Sequence, residues 1–136
     1  MKILRISAIV LSLIGIAACG GSNYTLRGTS KVLATKGSLA IEEMEGGNNM
    51  LTAKLQHLPE PSRLGAGVTS YVAWILPAYG DPINAGTLAF DADTREAEVM
   101  ATTPHDNFVF KITAESDARV TTPGTIVIVE QRVSVD

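Results

Sequence analysis

The chain is poor in the residue types that build reactive centres. It holds one cysteine, two histidines and one tryptophan in 136 residues. A single thiol excludes an intramolecular disulfide, and His57 and His105 lie far apart in the sequence. Two separated histidines are poor material for a zinc site, which needs three or four ligands in close array. Charge of one sign is scarce too: 11 basic against 14 acidic side chains give a net charge of −3, with no run of five like charges. That balance argues against nucleic acid or an anionic lipid surface as the main ligand. No segment has a convincing helical period. The pair Gly65 and Gly67 in "RLGAGV" is not followed by the strand-to-helix change that a phosphate loop requires. No cofactor is expected, and the chain is expected not to be an enzyme.

What is present starts at the N-terminus. Lys2 and Arg5 precede an uncharged stretch, residues 6–18, that ends in Ala17 and Ala18 before the lone Cys19. The order of charge, apolar run and small residues is that of a secretory signal peptide, and the run is shorter than the roughly 20 residues of a spanning helix. The tetrad Ile16-Ala17-Ala18-Cys19 resembles the lipobox of bacterial lipoproteins. This implies a diacylglycerol on the Cys19 sulfur and cleavage before it, so that residues 1–18 are a signal peptide. Two or three acyl chains make attachment effectively permanent, where one holds only marginally. Gly20 stands where an aspartate would resemble an inner-membrane retention signal, which favours the outer membrane if the cell has one; a single-membrane cell would display the domain outside, and in either case it is extracytoplasmic.

Without residues 1–18, 118 of the 136 residues remain, carrying nine basic and fourteen acidic side chains. That is the size of one domain with a core of its own. Residues 19–28 read as a lipidated cysteine and flexible tether, and 29–136 as the folded domain. In it, short apolar and β-branched segments alternate with turn-rich breaks, which predicts strands at 30–35, 38–44, 50–58, 69–76, 86–92, 96–102, 107–115 and 125–135. Leu51, Ala53 and Leu55 share one parity, and so do Phe108, Phe110 and Ile112. Each of those strands has one core face. By contrast "SYVAWILP" is apolar on both faces, which predicts a central strand with Trp74 in the core. The expected fold is an all-β, Ig-like antiparallel β-sandwich of seven or eight strands.

With the strands placed, Leu58-Pro59, Tyr71, Trp74, Gly80, Gly86 and Leu88, followed by Glu115 and the "TPG" of Thr122 to Gly124, resemble the extracytoplasmic domain of RskA-type anti-sigma factors. The likeness covers residues 54–129. It implies an outer β-sandwich without the membrane helix and sigma-binding domain of that family, so anti-sigma activity is not carried over.

The candidate chemistry is thin. His105-Asp106 suggests acid–base work, but neighbours in a turn usually face water. "DADTRE", residues 91–96, resembles a calcium loop but lacks the closing glutamate and the other oxygen ligands, and reads better as a solvated hairpin. Tyr79, on a loop braced by Pro77 and Pro82, and Arg63, in the long loop 59–67, are the candidate partner-binding residues. The leading expectation is a lipid-anchored, non-catalytic binding or docking module of the cell envelope. Its partners would be the membrane, through Cys19, and an envelope protein. An accessory sensor in anti-sigma-type signalling is the first alternative. A small hydrolase or metal-binding protein using His57, His105 and nearby acids is the second.

Overall fold

The computed structural model describes residues 21–136; the signal-peptide and Cys19 assignments lie outside the described residues. Among the described residues nine strands form: β1 (Gly21–Arg27), β2 (Lys36–Glu43), β3 (Asn49–Gln56), β4 (Ser70–Pro77), β5 (Ile83–Thr87), β6 (Ala89–Asp91), β7 (Glu96–Thr103), β8 (Asn107–Glu115) and β9 (Val127–Ser134). A one-turn 3₁₀ helix, Pro61–Arg63, interrupts the β3–β4 connection. The strands make two sheets, ordered β1-β2-β3-β7-β6 and β5-β4-β8-β9, with antiparallel pairing throughout. The protein is a β-sandwich, as the period-two pattern predicts.

Leu39, Ile41, Leu51, Leu55 and Val99 of one sheet and Tyr71, Ile75, Phe110, Ile112 and Val129 of the other form the core between the sheets. Three details depart from the sequence expectation. The tether expected at 19–28 is a strand from Gly21 onward: β1 is polar, but Tyr24 and Leu26 turn inward beside Leu39 and Gly37 of β2. The strand expected at 30–35 is instead a pair of turns. There Val32 N–H donates to Thr29 and Thr35 N–H to Val32, while the Thr29 hydroxyl is bound to the Val127 carbonyl at 2.6 Å. The strand expected at 86–92 is divided between the sheets, because the chain crosses over at buried Leu88, whose N–H donates to Tyr71 O at 2.9 Å. Gly86 makes the bend at φ +116°, a conformation disfavoured for residues with a Cβ. One strand lost and two gained give nine in place of seven or eight.

Trp74 also needs a correction. It is fully buried on β4, an inner strand as expected, but it does not belong to the core between the sheets. Tyr71, Ala73 and Ile75 take the inward parity, so Val72 and Trp74 point outward, in register with Thr113 and Lys111 of β8. Both are completely covered because the β8–β9 connection, residues 116–126, folds back over this outer face as a strap. Trp74 Nε1 donates to the Thr113 hydroxyl at 2.8 Å, and that hydroxyl donates to Glu115 Oε1 at 2.9 Å. The same carboxylate oxygen accepts Gly124 N–H at 2.6 Å. Glycine at 124 leaves room for this contact, since a Cβ there would stand 2.8 Å from Glu115 Oε1 and push the carboxylate aside. On the next strand Asn84 pins the strap, its amide donating to the carbonyls of Ala118 and Val120 at 2.9 Å each.

Removing the Glu115 carboxylate strands a buried hydroxyl and a loop N–H. Glu115→Ala is therefore expected to lower the unfolding free energy by about 2 kcal/mol in urea denaturation and to raise acrylamide quenching of Trp74. Unchanged stability with unchanged quenching would show that the strap does not depend on this carboxylate.

Candidate functional site

The strand registers sort every loop to one of two ends. At the first lie the start of β1, the β2–β3 hairpin, the β7–β8 turn, the Tyr79 loop and the C-terminal residues, because Gly21 pairs with Glu42, Asn49 with Thr103, Pro77 with Phe108 and Asn107 with Ser134. Asn49 stitches this end together. Its buried amide donates to the His105 carbonyl at 3.0 Å and to Asp106 Oδ1 at 2.9 Å. His105-Asp106 is thus a turn that anchors two strands, with the carboxylate already used by a structural partner. At the second end lie the β1–β2 turns, the β3–β4 loop with Arg63, and the β6–β7 turn.

Tyr79 and Arg63 therefore sit at opposite ends, as do His57 and His105. Tyr79 is 93% exposed, so it does not serve to cover the edge of the core. Close to it, Leu76, Pro77 and Ala78 with Val109 and Arg132 line a shallow groove of about 480 Å³ on the outer face of the four-stranded sheet.

Arg63 belongs to a smaller polar notch of about 190 Å³, lined by Glu60, Arg63, Ala92 and Arg95. Its framework is built with care. His57 and Arg95 both take φ 57°, the left-handed region that residues other than glycine seldom occupy. The strain is held by a reciprocal clasp: Leu58 N–H donates to the Arg95 carbonyl at 3.0 Å, and Arg95 Nε donates back to the Leu58 carbonyl at 3.2 Å. The Thr35 hydroxyl binds the His57 carbonyl at 2.9 Å. Leu58 itself is driven fully into the core, and the buried Tyr71 hydroxyl donates to the carbonyl of Pro59.

On the opposite wall, Asp91 Oδ1 accepts the N–H groups of Asp93 and Thr94, at 2.9 and 3.3 Å, closing the β6–β7 turn. In "DADTRE" it is thus the Asp91 carboxylate that shapes a hairpin. Among the described residues no group of three His, Cys, Asp or Glu side chains converges as a metal site would require.

The electrostatics are simple. Among the described residues the ion pairs are Lys111–Glu130 at 3.8 Å and Arg119–Asp117 at 3.5 Å, and neither involves Glu60, Arg63 or Arg95. Two guanidinium groups around an open polar recess suit an incoming carboxylate or phosphate. In the strap, the N–H of Arg119 holds the exposed Asp117 carboxyl below its ordinary range. Burial pushes the Tyr71 phenol well above its ordinary value, against the opposing charge of Arg95.

Sequence reasoning singled out Arg63 but missed Arg95, which stood unnoticed inside the acidic hairpin run, and Asn84, which no pattern marks. Among the described residues no helix is long and apolar enough to cross a membrane.

Tyr71 offers a test of this framework. A phenol raised above its unfolded value contributes stability that is complete below about pH 10, where unfolded tyrosine begins to ionise, and is lost as pH rises further. The unfolding free energy should fall continuously as pH rises above about 10 (the ordinary tyrosine value) toward the raised folded value, and Tyr71→Phe should flatten that fall while costing about 1 kcal/mol at neutral pH. An equally steep fall in the variant would assign the effect elsewhere.

No protein-family model matches this chain, nor does any curated protein sequence.

Proposed function

We propose that this protein is a non-catalytic binding or docking module of the bacterial cell envelope, held to the outer membrane by lipid on Cys19. One observation carries the reading: the lipobox-like Ile16-Ala17-Ala18-Cys19 ends two residues before Gly21, which is already paired with Glu42 of β2. Two residues span at most about 7 Å. A lipid at Cys19 therefore holds the sandwich against the bilayer by its first end, with Tyr79 at the membrane side and the Arg63–Arg95 notch turned outward. Tyrosine suits the headgroup region, where an apolar ring and a polar tip are both satisfied. The outward notch is the place for a partner's acidic group, since two arginines there are offered on a rigid frame.

The mature N-terminus is the direct test. Mass spectrometry of the protein purified from bacterial membranes should find a peptide beginning at an acylated Cys19, and Cys19→Ala should move the protein into the soluble fraction. An unmodified cysteine with residues 1–18 still attached would end the proposal. Arg63→Glu, which leaves the Arg95 clasp intact, is expected to reduce cross-linked envelope partner at least tenfold while membrane attachment stays unchanged.

A further inference from the structure

The outer face of the five-stranded sheet is polar, exposed and divided by charge. In the row nearest the second end, Arg27 stands beside Lys36, Lys36 beside Gln56, and Glu96 beside Asp91. The next row runs Thr25, Ser38, Lys54, Glu98, Ala89, and the one after it Asn23, Ala40, Thr52, Met100. In the two rows nearest the second end, cations therefore occupy β1, β2 and β3, and anions occupy β7 and β6; the row nearest the first end, Gly21, Glu42, Met50, Thr102, carries a single charge, Glu42 on β2. Met100, 59% exposed, stands in the uncharged third row beside Thr52, at the sheet's edge beyond the end of β6.

We propose that this face pairs with the same face of a second copy of the chain, about a two-fold axis lying along β3. The sheet order β1-β2-β3-β7-β6 puts β3 at the centre, so the axis lays β1 on β6 and β2 on β7 of the other copy. Because the axis runs parallel to the strands, rows meet rows. Arg27 faces Asp91, Lys36 faces Glu96, and Ala40 faces Met100, each contact made twice as a two-fold requires. Lys54 comes near its counterpart on the axis, and in each chain Glu98 is its cross-strand neighbour. Stacked sheets rotate by about 30°, which displaces the outer strands by about 5 Å. Arginine and lysine side chains reach over that distance.

The patch suits a reversible contact. Five strands at about 4.8 Å and seven residues at about 3.3 Å make a face of about 24 by 23 Å. That is somewhat under the roughly 800 Å² per partner of a standard stable complex. The axis also leaves both Gly21 ends pointing the same way. On the lipid-tethered reading, two copies then stand on one bilayer, where confinement favours their pairing; the contact itself needs no lipid.

The test is sedimentation equilibrium of the full chain in density-matched detergent, from micromolar concentration upward. A monomer–dimer equilibrium weakened by salt is expected. Arg27→Glu with Lys36→Glu should weaken it at least tenfold, and Asp91→Lys with Glu96→Lys should do the same. Mixing the two double variants should restore a heterodimer of at least wild-type affinity, which misfolded variants could not do. A chain that stays monomeric to millimolar concentration, a dimer indifferent to both reversals, or a mixture without heterodimer would each overturn the proposal. None of these outcomes depends on whether Cys19 is acylated.

Discussion

The Trp74 indole N–H, the Thr113 hydroxyl, the Glu115 carboxylate and the Gly124 N–H form one continuous polar line beneath the strap, and much of the fold hangs on it. A sandwich of two sheets has one core, between them. This one also buries the outer side of β4, where Val72 and Trp74 are as inaccessible as any residue of the main core. Covering them gains hydrophobic free energy, but it forces the indole N–H and the loop's amides out of water. Each of those groups costs about 1–3 kcal/mol if left unpaired. The network offsets that cost, and no buried side-chain nitrogen or oxygen is left without a partner among the described residues. The strap therefore follows from the two-sided apolar strand, and Glu115 follows from the strap.

The same logic governs the two ends. Short polar stitches from buried side chains hold the loops: Asn49 to the β7–β8 turn, Tyr71 to Pro59, and Thr35 to His57. At the second end the clasp between Leu58 and Arg95 keeps two non-glycine residues at positive φ, a cost of order 1–3 kcal/mol each that persists only where the surroundings impose it. The notch beside Arg63 is consequently rigid, whereas Tyr79 at the other end stands free of the core. On the proposed tether, these opposite ends become a membrane side and a partner side.

Several features could be read from residues alone. Leu51, Ala53 and Leu55, and again Phe108, Phe110 and Ile112, announce half-buried strands, since a strand's side chains alternate by geometry. The β4 run announces its own two-sided burial. The misreadings share a cause. β1 carries only Tyr24 and Leu26 inward, too little pattern to separate a strand from a polar connection, and its pairing with β2 is a long-range event. Residues 30–35 look β-branched enough for a strand, yet the carbonyls of Val127 and Ile128 hold Thr29 in a turn. Tertiary hydrogen bonds outweighed local propensity in both cases. Leu58-Pro59, Tyr71, Trp74, Glu115 and Gly124 hold the loops and the strap.

From the sequence by itself come the all-β class, the positions of most strands and the lone Cys19 after an apolar run, because composition and period are local properties. Tertiary structure alone decided which outer face is covered, that Arg63 and Tyr79 lie at opposite ends, that Arg95 joins Arg63, and that cations and anions separate in the rows of one sheet face nearest the second end. Each of those depends on which strands become neighbours, and strand order is chosen by contacts between residues distant in the chain, on which the alternation within any one strand is silent.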